Sequence, residues 1–76
     1  MFYHDRIEID PAICSGKPVI RGTRILVTSI LSQLATGEPF DAIRRGFPGL
    51  TDDDIKAAIE FAKQSVEATE LAALRD

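Results

Sequence analysis

Lys17, Arg21 and Arg24 stand close together in the segment Cys14 Ser15 Gly16 Lys17 Pro18 Val19 Ile20 Arg21 Gly22 Thr23 Arg24 Ile25, and their types and spacing suit binding chemistry. Cations on a turn or wing grip phosphate oxygens or a partner's carboxylates, whereas a buried segment of a small domain has no use for three of them. In extended chain, positions 17, 19 and 21 share a face. Lys17 and Arg21 would then line one side of a strand if no turn intervenes, with Arg24 across a turn at Gly22. The competing arrangement pairs Arg21 and Arg24 with Glu8 and Asp10 of a preceding strand and leaves Lys17 alone to bind. A second basic pair, Arg44 and Arg45, either joins this surface or simply meets the negative end of a short helix.

Other constellations yield no chemistry. Gly16 Lys17 lacks the earlier glycine and the following Ser or Thr of a phosphate loop, since Pro18 stands there. Asp52, Asp53 and Asp54 resemble a metal cluster, but consecutive helix residues splay about 100° apart, and acids are favoured in a first helical turn by the dipole. His4 is the sole histidine and lies near the terminus, with no Ser or Cys spaced to form a nucleophile and base pair. Cys14, the single cysteine, has no partner for a disulfide or a zinc site and reads as a small loop thiol. No catalytic, metal or cofactor residues are therefore expected, and the chain is not read as an enzyme.

The elements that must position the basic loop follow from periodicity. Arg6 Ile7 Glu8 Ile9 Asp10 alternates like a strand with Ile7 and Ile9 on one face, closed by Pro11. Pro18, the β-branched Val19 and Ile20, and Gly22 Thr23 predict a β hairpin or wing. From Val27 the period becomes helical through Ile30, Leu31 and Leu34, with Gly37 as the C-terminal cap. Pro39 suits the first position of a short second helix that carries Phe40 and Ile43 and ends near Gly46 with Arg44 and Arg45 in its last turn. Thr51 begins the third helix as N-cap, with Asp54 three residues later in capping-box fashion. There Ile55, Ala58, Ile59, Ala62, Val66, Thr69 and Ala73 share a stripe, with Phe61 at its edge. Leu71 and Leu74 point elsewhere and form a second apolar surface suited to another chain. The predicted fold is mainly α with a short β element: a three-helix, helix-turn-helix-like (homeodomain or winged-helix-like) core preceded by a short strand and a β hairpin or wing.

With 76 residues the chain is one domain, residues 1–76, and a monomer of that size buries only roughly 60% of its unfolded surface, so self-association or a partner is expected to add stability. A hydrophobic content of 45% places it among folded chains. No apolar run approaches a membrane span, and the N-terminus lacks a signal-peptide pattern, which predicts a cytoplasmic protein with no membrane partner. The net charge of −3 is uneven: residues 1–50 carry six Lys/Arg against five Asp/Glu, and residues 51–76 three against seven. The acidic half repels nucleic acid and suits a basic protein partner. If the third helix read DNA in helix-turn-helix fashion, Asp52 to Asp54 would enter the groove against the phosphate field. DNA would then be met by the wing and Arg44 Arg45, or the fold serves protein binding.

The order Ile9 Asp10 Pro11, then Cys14 x Gly16 Lys17 Pro18 Val19 Ile20 Arg21 Gly22 Thr23 Arg24 Ile25, a helix closed by Gly37, and Phe47 Pro48 x Leu50 Thr51 before an acidic helix start resembles the family known as domain of unknown function 433. The resemblance spans roughly residues 6–66, leaving 67–76 as a C-terminal helical extension. It implies a small prokaryotic, cytoplasmic, VapB-like antitoxin with a helix-turn-helix-like core, encoded beside a PIN-like ribonuclease toxin that it binds and silences, and repressing their shared operator DNA as a homodimer. The matching positions Lys17, Arg21, Gly22, Thr23 and Arg24 are the implied signature-loop candidates. Two departures stand out: Leu26 where relatives commonly carry proline, and Glu38 where they commonly carry Ser or Thr. Loss of that N-cap is expected to weaken the second helix by about 1 kcal/mol.

The resulting expectation is a non-enzymatic antitoxin-type module, with the helical end from Glu60 onward and Val66, Leu71 and Leu74 contacting a toxin or a second copy. An acidic tail could cover a basic RNA-binding cleft, or Lys17, Arg21 and Arg24 could meet the carboxylates of a PIN-like active site. The alternative is a stand-alone DNA-binding regulator that holds phosphates through Lys17, Arg21, Thr23, Arg24, Arg44 and Arg45.

Overall fold

The computed structural model describes the backbone of residues 2–74 and the side chains of residues 5–73. Three short strands, β1 (Phe2–His4), β2 (Ile7–Glu8) and β3 (Val19–Ile20), form an antiparallel sheet in the order β1-β2-β3. Three helices follow: α1 (Val27–Ala35), α2 (Phe40–Gly46) and α3 (Asp52–Leu74). The architecture is thus mainly helical with a small sheet ahead of the helices, as expected, and is consistent with a helix-turn-helix-like core. No described helix is long and apolar enough to cross a membrane.

The sheet differs from the expectation in extent. The predicted strand over residues 6–10 shortens to Ile7–Glu8, and Ile9 lies beyond its end, half-buried rather than beside Ile7 on a shared face. The chain leaves the strand early because Asp10 and Pro11 start a turn: the Ile13 N–H donates to the Asp10 carbonyl at 2.8 Å and the Ala12 N–H to the Asp10 carboxylate at 2.9 Å. The N-terminal residues, for which no element is predicted, supply the edge strand β1, paired with β2 through Phe2↔Glu8 and His4↔Ile7.

Each helix is closed by local chemistry. Leu26 occupies the N-cap of α1 without a side-chain cap, but it bridges to Val19, and the Val27 N–H donates to the Pro18 carbonyl at 3.0 Å. The hairpin therefore satisfies one of the four N–H groups that a helix start leaves without an intrahelical partner. At its other end Gly37 (φ +87°) donates to Leu34 at 3.0 Å and Glu38 to Gln33 at 3.1 Å, the paired bonds of a Schellman motif. Pro39 is the N-cap of α2 rather than its first helical residue. Glu38 therefore lies outside that cap, its N–H already committed to α1, and the expected penalty for lacking Ser or Thr there loses its basis. The capping box of α3 forms as predicted: the Thr51 N–H donates to Asp54 Oδ2 and the Asp54 N–H to Thr51 Oγ1, both at 3.1 Å.

α3 packs against α1, α2 and β2, and the core comprises Ile7, Ile20, Val27, Ile30, Ile43, Leu50, Ile55, Ala57 and Ala58. Ile7, Ile30, Ile43 and Ile55 are fully buried, each burial stabilising the fold by roughly 2–3 kcal/mol. The buried face of α3 is rotated from the predicted stripe. Ala57 is inside, Phe61 packs against the cluster, and Ile59 remains 41% exposed. From Ser65 to Ala73 every residue is exposed. α3 holds 23 residues and, at 1.5 Å per residue, spans about 34 Å, most of the molecule's 44 Å longest extent.

Candidate functional site

The signature loop is a built structure. Cys14, Ser15 and Gly16 are successive left-handed residues (φ 49°, 59° and 81°), closed by Gly16 N–H to Ile13 and Lys17 N–H to Cys14 at 3.0 and 3.2 Å. β3 then leads into a tight turn over Ile20–Thr23, where the Thr23 N–H donates to the Ile20 carbonyl at 3.0 Å. Gly22 at φ +78° occupies the position of a type II turn that demands positive φ. Thr23 locks the turn from inside: its hydroxyl donates to the Ile20 carbonyl at 2.7 Å and accepts the Ile25 N–H at 3.0 Å. The Ile20 N–H returns to the Ile25 carbonyl at 3.0 Å, and the Arg21 N–H extends the sheet to the Arg6 carbonyl at 2.8 Å.

This geometry distributes the candidates unequally. Lys17, Arg21 and Arg24 are all exposed. Lys17 and Arg21 do not share a strand face, because β3 is only Val19–Ile20 with both residues buried and the turn begins at once. Lys17 thus sits before the strand, and Arg21 and Arg24 flank the turn tip. Lys17 and Arg24 make no ion pair among the described residues. Asp10, the expected mate of an arginine, spends its carboxylate on the Ala12 N–H. Glu8 and Arg24 instead line the same open depression of about 420 Å³, together with Ile13, Gly22 and Thr23. Such a recess offers a carboxylate and a guanidinium to the charged side chains of a partner.

Arg44 and Arg45 lie in the last turn of α2, where the dipole favours cations, and each also has a carboxylate partner. Arg44 pairs with Asp52, and Arg45 donates to Asp41 at 3.0 Å, one turn back. That hydrogen bond, with the adjacent positive charge, holds the Asp41 carboxyl below the usual carboxylate range. The acidic start of α3 is likewise engaged: Asp52 with Arg44, Asp53 with Arg6 at 3.6 Å, and Asp54 with Arg6 at 3.1 Å as well as its capping bonds. Among the described residues no group of three His, Cys, Asp or Glu side chains is gathered as a metal ion would need.

Arg6 is the residue that sequence reasoning passes over. It ties β2 to the N-terminus of α3 across 48 positions, and no local pattern announces a pairing of that range. At the far end of α3, Val66 and Leu71 are 57% and 56% exposed. The side chain of Leu74 lies outside the described residues. The basic loop and the overhanging helix are therefore separate surfaces, one positioned by the hairpin and the other by the capping box and core face of α3.

The model of the family described as "Protein of unknown function (DUF433)" matches residues 7–62. That span runs from β2 through the signature loop to Ala62 of α3 and stops before the overhang. Among solved structures, the crystal structure of a DUF433 member protein from Anabaena variabilis ATCC 29413 at 2.00 Å resolution is similar. It is 32% identical, with a TM-score of 0.76, over 91% of this chain and 68% of that one. No curated protein matches.

Proposed function

Because this chain belongs to the DUF433 family, whose model covers β2, β3, the signature loop, α1, α2 and the first half of α3, we propose that it is a non-enzymatic binding module of the antitoxin type. In this reading it is cytoplasmic and homodimeric, captures a PIN-like ribonuclease encoded beside it, and represses their shared promoter. The observation that carries the proposal is the overhang of α3. Ser65 to Ala73 leave the domain entirely exposed, yet present Val66 and Leu71 to water. The same stretch carries Glu67 and Glu70 and no Lys or Arg. An apolar helix flanked by carboxylates suits the basic surface that a ribonuclease offers to RNA.

Leu71 makes the sharper test. Co-expression of the tagged chain with its neighbouring reading frame should yield a complex and relieve that neighbour's toxicity. Leu71→Glu should lose at least tenfold in affinity, the scale of one interface anchor. Equal capture by Leu71→Glu and by a chain ending at Val66 would overturn the tail contact, and a harmless neighbour that fails to co-purify would overturn the antitoxin reading.

A second reading, operator binding through the hairpin, is favoured by Lys17 and Arg24, whose charges have no intramolecular mate among the described residues. Duplex affinity should then fall steeply with salt, and Arg24→Ala should lower the slope by about one. Salt-independent or absent binding would remove it.

A further inference from the structure

α3 carries two distinct exposed apolar faces. Ile59, Ala62, Val66, Thr69 and Ala73 follow one another at steps of three, four, three and four residues, the spacing of a helix–helix seam. At 100° per residue they fall within roughly 80° of one another, whereas Leu71 lies about 140° from Val66. Ile59 is 41% and Val66 57% exposed, Thr69 and Ala73 are exposed as well and Ala62 is half-buried, so from Val66 onward the seam is exposed to water. Its polar groups already suit burial. The Thr69 hydroxyl donates to the Ser65 carbonyl at 3.0 Å and the Ser65 hydroxyl to the Phe61 carbonyl at 2.9 Å, so neither demands a partner across an interface.

We propose that this seam docks on the same seam of a second copy of the chain, with the two α3 helices antiparallel. Val66 faces the partner's Thr69 and Ala62 faces the partner's Ala73, with the two-fold axis near residues 67 and 68. Charge selects both the occupant and the direction. Lys63 and Glu70 flank the seam on one side, seven residues apart, and both are exposed; Lys63 has its own Glu60 at 4.0 Å, a solvent-exposed pair that holds it only weakly. Antiparallel pairing sets Lys63 beside the partner's Glu70 and, by symmetry, Glu70 beside the partner's Lys63. Parallel pairing would set like charge level with like charge and form neither pair. On the other flank Ser65 and Ala72 are small and allow the helices to approach closely. Val66 and Glu70 are taken up by this contact, whereas Leu71 and Glu67, about 40° apart on the helix, remain outside it and free for the ribonuclease.

The inference rests on the dimeric state included in the proposed function, and its test separates the two. Sedimentation equilibrium of the full chain at low salt should show a monomer–dimer equilibrium. Lys63→Glu and Glu70→Lys, each turning two attractions into repulsions, should each raise the dimer Kd about tenfold. The double exchange should restore the parent value within about twofold. Leu71→Glu should leave the dimer unchanged. A wild-type dimer indifferent to the single exchanges, or a double exchange that fails to rescue, would overturn the antiparallel register while leaving the dimer standing. A monomer at all concentrations would overturn both.

Discussion

Replacing Asp54 by alanine should cost this domain about 2 kcal/mol. Asp54 is only 8% exposed, the one charged residue among the described side chains to be buried. One of its oxygens accepts the Thr51 N–H and the other accepts Arg6 Nη1, each at 3.1 Å. Loss of a capping acceptor costs about 1 kcal/mol. The bond to Arg6 is charge-assisted and would be worth roughly 1.5–3 kcal/mol if fully buried. The Arg6 side chain is 43% exposed and retains Asp53 at 3.6 Å, which reduces that share to about 1 kcal/mol. Asp54→Asn keeps an acceptor for the Thr51 N–H and loses only the charge, so it should cost about half as much. Urea unfolding followed by helical circular dichroism, at fixed protein concentration, reads both values as shifts in midpoint at constant slope. The alanine variant should melt about 8–16 °C lower, given 4–8 °C per kcal/mol for a domain of this size. A cycle with Arg6→Ala should return a coupling of about 1 kcal/mol. An Asp54→Ala loss below about 0.5 kcal/mol, or equal losses for Ala and Asn, would refute the reasoning.

Further outcomes follow from the loop and α2. Gly22→Ala has open space for its methyl but must hold φ near +78°, so a loss of about 1 kcal/mol is expected. Gly46→Ala meets only Gln33 Nε2 at 3.9 Å and carries no positive φ, so it should gain up to about 1 kcal/mol in the same unfolding assay. Thr23→Val removes both hydroxyl bonds of the turn and should cost about 1–2 kcal/mol, seen as a lowered urea midpoint. Arg45→Ala should let Asp41 titrate nearer the ordinary carboxylate range, followed by NMR. Because Asp41 is depressed in the folded state, its contribution is present above its unfolded pKa and fades as pH falls through the folded one. The variant should lose that acid-side dependence.

Features set by a few neighbouring residues are legible in the amino-acid sequence alone. Thr51 and Asp54 announce the start of α3 because their reciprocal bonds close within four residues, and Gly37 announces the end of α1 because a left-handed cap favours glycine. Distance and small side chains hide the rest. The Arg6–Asp54 pair is separated by 48 positions. Cys14 and Ser15 adopt positive φ without being glycine, so composition gives no cue. The rotation of α3 escapes the periodicity because Ile59 and Val66 dominate its hydrophobic pattern. Contact with α1, α2 and β2 turns Ala57 inward instead, since a small side chain allows close approach while adding little to a hydropathy pattern. At the candidate site, Lys17, Arg21 and Arg24 could be picked out by their charge and are exposed. The inward lock made by Thr23 emerges only when the hairpin closes and brings Ile20 and Ile25 to its hydroxyl.

The overhang of α3 also sets a gradient of order along a single helix. Starting a helix is costly and extending it is cheap, and the domain bears the starting cost through the Thr51–Asp54 box and the buried Ile55, Ala57 and Ala58. The turns beyond Ser65 are propagation, with every described residue from Ser65 to Ala73 exposed. Amide hydrogens should accordingly exchange at rates that rise steadily from Ala58 to Ala73 in the free chain. A partner lying on those turns needs only to halt fraying of a helix that already points the right way, so it avoids most of the ordering cost met by a disordered tail. Flattening of that exchange gradient would then report where along α3 a partner sits, turn by turn.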